Sequence, residues 1–215
     1  GEAPEPYEGE IMDRCFVLHA EHGFNASTFT ARVVASTCST CYCSISAAVG
    51  ALYGSLHGGA NERVLDMIDE IGGIDRIEPW LDQASAEKRK VMGMGHRVYK
   101  AKDPRAVIME AYLTELCEKK GDDHLQVFIR AFEKAFRRRM ETKGKAIYPN
   151  VDFLSGSVYS MLGIPRELFT PIFAVARSVG WLAHILEQRQ DNRLYRPRGL
   201  YQGPEPRDYT PLADR

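Results

Sequence analysis

Apolar residues recur at three- and four-residue steps along most of this chain, and this spacing constrains its fold more than any other feature. Such a period places apolar side chains on one face of an α-helix, whereas a half-buried strand needs a period of two. Glycine and proline interrupt the pattern at short intervals. The sequence therefore predicts an all-α fold of helices with short breaks, with strand geometry only near residues 90–92 and 199–201.

Five helices are predicted from this period and from residues that start or stop helices. The first covers residues 27 to about 52 and is rich in small side chains, so we expect it to be buried nearly all round. The others are expected over about 60–71 before Gly72, from Asp103-Pro104 to 120 before Gly121, over about 125–136, and from Pro165 and Pro171 through Leu186. An Arg- and Pro-containing tail covers 189–215.

Composition excludes several classes of partner. The 215 residues carry 28 Lys and Arg against 29 Asp and Glu, so the net charge of -1 offers no bulk attraction for nucleic acid or anionic lipid. The basic run 137–139 is interpreted as a solvated helix face. No run of about 18 apolar residues suggests a membrane span, and the acidic residues 1–10 are unlike a signal peptide. We expect a cytoplasmic globular protein.

The cysteines are five in number, and Cys38, Cys41 and Cys43 are close together. An odd count inside apolar stretches is typical of reduced thiols and not of a disulfide framework. The cluster lacks a second ligand pair at a plausible distance, so no zinc or other metal site is predicted.

Histidine is informative because it titrates nearest neutral pH. Four of the six histidines lie in polar or glycine-rich breaks between predicted helices, where backbone can approach a ligand. They are His19, His22, His57 and His96. The other two, His124 and His184, fall within helical patterns and are interpreted as surface or core residues.

Arginines and one aspartate complete the candidate site. Arg105 follows a helix start, and Arg177 lies among apolar neighbours, where it either forms an internal ion pair or grips a ligand carboxylate. Asp152, at a helix start, is either a helix cap or an acid–base group. Together these residues suggest acid–base chemistry on a substrate with several carboxylates. The pair Gly93 and Gly95 alone is a weak signal of nucleotide binding.

Six motifs resemble, in the same order, those of the citrate synthase family. They are HAEHGFNAST (19–28), GSLHGGANE (54–62), GMGHRVYKAKDPR (93–105), YPNVDF (148–153), ARSVGW (176–181) and YRPRGLY (195–201). Family chains carry a long helical segment before the first motif, so the chain resembles the C-terminal portion of a family member. The resemblance implies a small helical domain over 58–160, and parts of a large helical domain over 1–57 and 161–215.

The resemblance also implies an activity, the condensation of acetyl-CoA with oxaloacetate to citrate and CoA. By motif position, Asp152 resembles the base, His57 the group that stabilises the enolate, and His96 the group that polarises the oxaloacetate carbonyl. The implied oxaloacetate ligands are His22, His96, Arg105, Arg177 and Arg196, and Arg196 is expected to reach into a partner's site. The implied CoA contacts are Gly93, Gly95, Lys100, Lys143 and Asn150.

The family resemblance further implies a homodimer or higher homo-oligomer in the tricarboxylic acid cycle, with no cofactor besides the acetyl-CoA substrate. Two alternatives stay open. A pocket discriminates one extra methylene only about 10–200-fold, so propionyl-CoA giving 2-methylcitrate is an alternative reaction. A non-catalytic assembly protein or fragment built on the same fold is the other.

Overall fold

The computed structural model describes residues 3–54, 57–96, 98–99 and 101–215, and their regular structure is helical. The α-helices in these ranges are α1 (Pro6–His19), α2 (Ala26–Ser36), α3 (Cys41–Tyr53), α4 (Ala60–Ile71), α5 (Ile77–Ala86), α6 (Pro104–Lys120), α7 (His124–Thr142), α8 (Val151–Met161) and α9 (Phe169–Gln190). Within the described ranges the only β geometry is an isolated bridge between Met94 and Pro149. The all-α prediction is confirmed, and the strand geometry expected near 90–92 and 199–201 is wrong.

The single helix predicted over 27–52 is also wrong, because two helices occupy this segment. Cys38 has a φ of 62°, a left-handed conformation that ends α2. Thr40 then caps α3, with its hydroxyl accepting the backbone N–H of Cys43. The apolar period continues through both helices, so the pattern alone could not reveal the break.

The predicted helix ends at glycine are confirmed. Helices α1 and α5 were not predicted, and of α8 only the start near Asp152 was indicated. Gly72 and Gly121 end α4 and α6 with φ angles of 72° and 67°. Helix α1 begins with a capping box between Glu5 and Glu8, with proline in its first turn. Helix α5 follows a short 3-10 turn and has only ten residues, so its apolar period is brief.

Buried apolar residues form two clusters. The smaller one joins α2, α3 and α9 around Trp181, Ile185 and Leu52. The larger one joins α1 with α4–α8 and includes Phe132 and Phe153. Each such large side chain contributes about 1.5–3 kcal/mol when it leaves water. The division into 1–57, 58–160 and 161–215 stays a prediction.

The stretch Arg166–Gln190, which consists of a short 3-10 turn and α9, has the length and apolar composition of a membrane span, and this was not predicted from the sequence. The core helix of a soluble protein can have the same length and composition. Here α9 packs against α1, α2 and α3, and Arg177 is buried in its middle. One face of α9 therefore lies in the core, whereas Val175, Val179 and Leu186 on another face are exposed.

The tail after α9 runs over the outside of α2. The side-chain amide of Asn192 donates to the carbonyl of Ser36 at 3.0 Å, and the N–H of Tyr195 donates to the Ser36 hydroxyl at 3.1 Å. Beyond these anchors the tail is exposed and extended up to a short 3-10 turn at Leu212–Asp214. The tail therefore begins at a fixed position on the helices.

Candidate active site

A cavity of about 930 Å³ gathers six of the residues predicted for catalysis and oxaloacetate binding. Its volume lies within the range that holds small organic ligands. Its lining includes His22, His57, His96, Arg105, Asp152 and Arg177. These residues come from segments far apart in the sequence, so the fold has brought them to one place.

His57 is oriented by the first turn of α2. Its Nε2 atom accepts the backbone N–H of Ser27 at 3.2 Å, so the hydrogen of the neutral ring is on Nδ1. The Ser27 hydroxyl lies 2.8 Å from the same Nε2 and accepts the indole N–H of Trp181 at 3.2 Å. Burial lowers the pKa of His57, and the charge of Arg177 adds to this effect. The ring therefore offers a neutral N–H donor.

His96 is oriented in a similar way. Its Nδ1 atom accepts the backbone N–H groups of Val98 and Tyr99, each at 3.0 Å, so Nε2 carries the hydrogen. That Nε2 lies 3.2 Å from Nε2 of His22. Burial lowers the pKa of both rings, with Arg105 adding to the effect, and the pKa of His22 falls to about 4. Both histidines are neutral near pH 7.

Arg105 is held by the aspartate that caps its own helix. Its Nε and Nη2 atoms donate to Asp103 Oδ1 at 3.1 Å and Oδ2 at 2.8 Å. Asp103 also accepts the N–H of Val151, the first residue of α8, at 3.3 Å. Burial opposes ionisation of Asp103, but the bonds from Arg105 outweigh it and lower the pKa of the carboxyl. One buried carboxylate thus fixes Arg105 and the start of α8.

Arg177 is 2% exposed, and its Nε donates to the carbonyl of His19 at 2.6 Å. Burial lowers its pKa to about 10, with Arg105 adding to the effect, so it stays charged at neutral pH. The sequence left two interpretations open for Arg177, an internal ion pair or a grip on a ligand carboxylate. The described salt bridges include no carboxylate partner for Arg177, and its bonding partner is a neutral backbone carbonyl. It lines the cavity with Arg105, and two guanidinium groups suit a substrate with two carboxylates.

Asp152 is in the first turn of α8 and is not its cap. Asn150 is the cap, and its side-chain oxygen accepts the N–H of Asp152 at 3.0 Å. The interpretation of Asp152 as a capping residue is therefore wrong. Burial raises the pKa of Asp152 to about 6, although Arg105 and Arg177 oppose the shift. A carboxylate that titrates near neutral pH is suited to general base catalysis.

The segment 93–95 lies beside the segment that leads into α8. The N–H of Gly95 donates to the carbonyl of Tyr148 at 2.8 Å, and the side-chain amide of Asn150 donates to the carbonyl of Gly95 at 2.9 Å. Gly93 has a φ of 72°, and a Cβ there would lie 2.8 Å from the side chains of Phe153 and Val64. Only glycine fits this close approach.

A second cavity of about 780 Å³ adjoins the first, with Lys90, Gly95, His96 and Tyr99 lining both. Of the predicted CoA residues, Gly95 and Lys143 line it, and Gly93 and Asn150 line the first cavity. Lys100 lies outside the described residues. Most of the basic groups here were not predicted from the sequence, and they are Lys88, Arg89, Lys90, Arg139 and Lys145. The basic run 88–90 was the signal available for the first three of them.

The structure does not bring Arg196 to either cavity of its own chain. Arg196 is exposed, and its guanidinium donates to the carbonyl of Pro197 at 3.0 Å. Its expected role in a partner's site stays a prediction. The orienting roles of Ser27 and Asp103 were not predicted, although both residues lie within the motifs at 19–28 and 93–105.

An all-α fold with one cavity that holds a carboxylate, neutral histidines and two guanidinium groups defines a class of protein equipped for acid–base chemistry on small anions. A family model described as "Citrate synthase, C-terminal domain" matches residues 1–198. The chain belongs to the citrate synthase family.

Relatives agree with this assignment. The chain is 48% identical over 212 residues to a citrate synthase of Synechocystis sp., covering 99% of this chain and 53% of the relative. It is 46% identical to a citrate/2-methylcitrate synthase of Bacillus subtilis, covering 95% of this chain and 54% of that one. The chain therefore spans about half the length of these relatives.

A solved structure has the same fold. It is a ternary complex of carboxymethyl coenzyme A and oxaloacetate with citrate synthase from Thermoplasma acidophilum. The two chains are 38% identical and superpose with a TM-score of 0.90, over 100% of this chain and 57% of the other.

Proposed function

We propose that this chain supplies catalytic residues for the condensation of acetyl-CoA with oxaloacetate, giving citrate and CoA. The observation that carries this proposal is the convergence of Asp152, His57 and His96 on one cavity that also holds Arg105 and Arg177. The chain spans about half of its relatives, so the proposal concerns this part of the site.

The first step is removal of a proton from the acetyl methyl group. A thioester methyl is a weak carbon acid, so a carboxylate base needs a donor at the thioester oxygen at the same time. Asp152 takes the proton, and its raised pKa makes it a stronger base than an exposed aspartate. His57 donates from Nδ1 to the oxygen, which is the tautomer that Ser27 imposes.

The second step forms the carbon–carbon bond. Arg105 and Arg177 hold the oxaloacetate carboxylates, which fixes the orientation of the ketone and lowers the entropic part of the barrier. His96 directs Nε2–H to the ketone oxygen in place of its bond to His22, and that oxygen becomes the hydroxyl as the enol carbon attacks. Water then cleaves the thioester of citryl-CoA to give citrate and the CoA thiol.

The CoA nucleotide is accommodated in the second cavity, because several cations there suit its phosphates. Lys143 is available for this role, since its Nζ is partnered only by the neutral Ser85 hydroxyl, at 3.2 Å, among the described bonds. Lys100, Gly93, Gly95 and Asn150 are further proposed contacts. No cofactor beyond the two substrates and water enters these steps, and the protein acts in the cytoplasm.

Arg196 serves a neighbouring subunit's site in a homodimer or larger homo-oligomer. Its exposed position on the tail supports this arrangement. Mixing two inactive variants, Arg196→Ala and Asp152→Ala, is expected to restore part of the activity, because one of the two sites in a mixed dimer is intact. Verified mixed dimers without any recovered activity would contradict a shared site.

The proposed reaction is tested by release of the CoA thiol. We expect thiol release that requires both substrates and is lost in Asp152→Ala. The matched control is Asp66→Ala, which removes an exposed aspartate that is paired with Arg166 and lines neither of the two cavities. Activity that survives in Asp152→Ala would reject Asp152 as the base.

The relative named citrate/2-methylcitrate synthase favours one alternative substrate, propionyl-CoA. Turnover with the two acyl-CoA substrates decides between them, and equal or better use of propionyl-CoA would overturn the preference for acetyl-CoA. A folded chain that binds neither substrate would instead favour a non-catalytic assembly protein. A search for a co-purifying polypeptide tests that alternative directly.

A further inference from the structure

Along three successive turns of one face, helix α9 contacts His19 and then the segment 20–23, which carries His22. Arg177 bonds the carbonyl of His19, immediately before this segment. One turn later, Gly180 lies so close to the segment that a Cβ on it would be 2.2 Å from the carbonyl oxygen of Ala20. One further turn along, Nε2 of His184 lies 3.0 Å from Oε1 of Glu21. These positions share a helix face.

The tautomer of His184 is set by Arg32 of α2. The Nη1 atom of Arg32 lies 3.2 Å from Nδ1 of His184, and a guanidinium only donates hydrogen bonds. Nδ1 is therefore the acceptor, and Nε2 carries the hydrogen that His184 donates to Glu21. The bond has one direction, from α9 to the carboxylate.

The Glu21 carboxylate connects His184 to the backbone beside His22. Its Oε1 accepts the N–H of Gly23 as well as the His184 hydrogen. Gly23 has a φ of 57°, so the chain turns sharply there, and the carboxylate closes the turn. His22 lies between the two residues joined by that carboxylate, and its ring reaches into the cavity beside His96.

We propose that His184 is a positioning residue that, through Glu21, fixes the backbone that holds His22 in the oxaloacetate site. His184 does not line the cavity and acts only through this contact. The inference rests on the proposed function for its consequence in substrate binding, but its structural part is independent of it. The His22 ring is presented correctly only while the turn at Gly23 stays closed.

Three variants test this role. His184→Leu removes the donor, and His184→Gln keeps one, because a glutamine amide can donate to Glu21 and accept from Arg32. His124→Leu is the matched control, since His124 makes the same kind of bond to Asp122 at 2.6 Å on the exposed start of α7. Global unfolding by urea is measured for each variant, so that a general loss of stability is recognised.

Hydrogen exchange of the segment 20–25 in the unliganded 215-residue chain is the first measurement. We expect exchange there to rise roughly fivefold in His184→Leu, because a turn that loses its closing bond opens more often. His184→Gln and His124→Leu should exchange as the parent does. Unchanged exchange in His184→Leu, or exchange raised equally in His184→Gln, would overturn the proposal.

Calorimetric binding of oxaloacetate is the second measurement. His184→Leu should weaken it roughly fivefold, with acetyl-CoA binding unaltered and His184→Gln restoring the parent affinity. Equal weakening of both substrates would overturn the specific role, because it indicates general disorder. If the parent chain binds no oxaloacetate, the proposed function fails, and the exchange result alone decides the role of His184.

Discussion

Replacing Asp152 by asparagine is expected to stabilise the folded chain at neutral pH while abolishing its role as a base. Burial raises the pKa of this carboxyl from an ordinary value of 3.8 to about 6. A carboxyl whose pKa is higher in the folded state binds its proton more tightly there, so ionisation opposes folding. An asparagine side chain at this position carries no charge at any pH and escapes this cost.

The magnitude follows from the two pKa values. At pH 7 both folded and unfolded chains are ionised at this position, and the difference costs about 3 kcal/mol. At pH 5 the cost falls to roughly half of this value and at pH 4 to roughly a fifth, because the folded state is then protonated. The free-energy advantage of Asp152→Asn should therefore shrink as the pH falls from 7 to 4.

Urea unfolding of the two proteins across this pH range measures the advantage. The quantity to compare is the difference in unfolding free energy between the two proteins, because the titration of His22 changes the stability of the parent chain with pH in the opposite direction. Its pKa is lowered to about 4 in the folded state, so its contribution to stability is lost as the pH falls below 6.5. The named charges that act on His22 do not include Asp152, so this contribution cancels in the difference.

Asp82→Asn is a control for which the opposite change in stability at neutral pH is expected. The bond from Arg139 lowers the pKa of this exposed carboxyl, so its ionised form favours folding. Its replacement should destabilise the chain at neutral pH, and that effect should fade as the pH falls. An Asp152→Asn protein that is less stable than the parent at pH 7, or whose advantage does not vary with pH, would refute the reasoning.

Three further predictions concern single contacts. Gly180→Ala should destabilise the chain by about 1–3 kcal/mol, seen as a lower thermal midpoint, because its Cβ would overlap the backbone of Ala20. A thermal midpoint equal to the parent's would contradict this close approach. Thr40→Ala should cost about 1 kcal/mol in urea unfolding, since the cap of α3 is lost, and no change would argue against that cap. Arg105→Lys should weaken oxaloacetate binding about tenfold in calorimetry, because lysine keeps the charge but not the planar pair of donors. Equal affinity would remove Arg105 from the site.

Much of the helical architecture could be predicted from the sequence, because it depends on local signals. Gly72 and Gly121 end their helices by taking up left-handed conformations, as the pattern indicated. The break at Cys38 could not be predicted, because the same conformation there is taken up by a residue that rarely adopts it. Context and the Thr40 cap decide that position, and neither changes the apolar period.

The site residues could be proposed from motifs, but their physical states could not. Nothing in the sequence indicates that Ser27 fixes the tautomer of His57, because the bond joins residues 30 positions apart. Likewise the raised pKa of Asp152 depends on burial, which is created by helices distant in the chain. Local sequence identifies the chemical group, and tertiary packing determines its protonation.

The charges around the cavity explain why its histidines are neutral donors. Arg105 is paired with Asp103, whereas Arg177 bonds a neutral carbonyl and lines the cavity together with the Asp152 carboxylate. Burial disfavours imidazolium in all three rings, and guanidinium charge strengthens the effect. The same two features that prepare the cavity for a dianion therefore keep His57 and His96 neutral, so that one nitrogen of each ring accepts a backbone N–H and the other donates. A charged imidazolium would lose its proton to solvent more readily beside these guanidinium groups, so the arginines that suit a dianionic substrate also help burial to keep the histidines neutral.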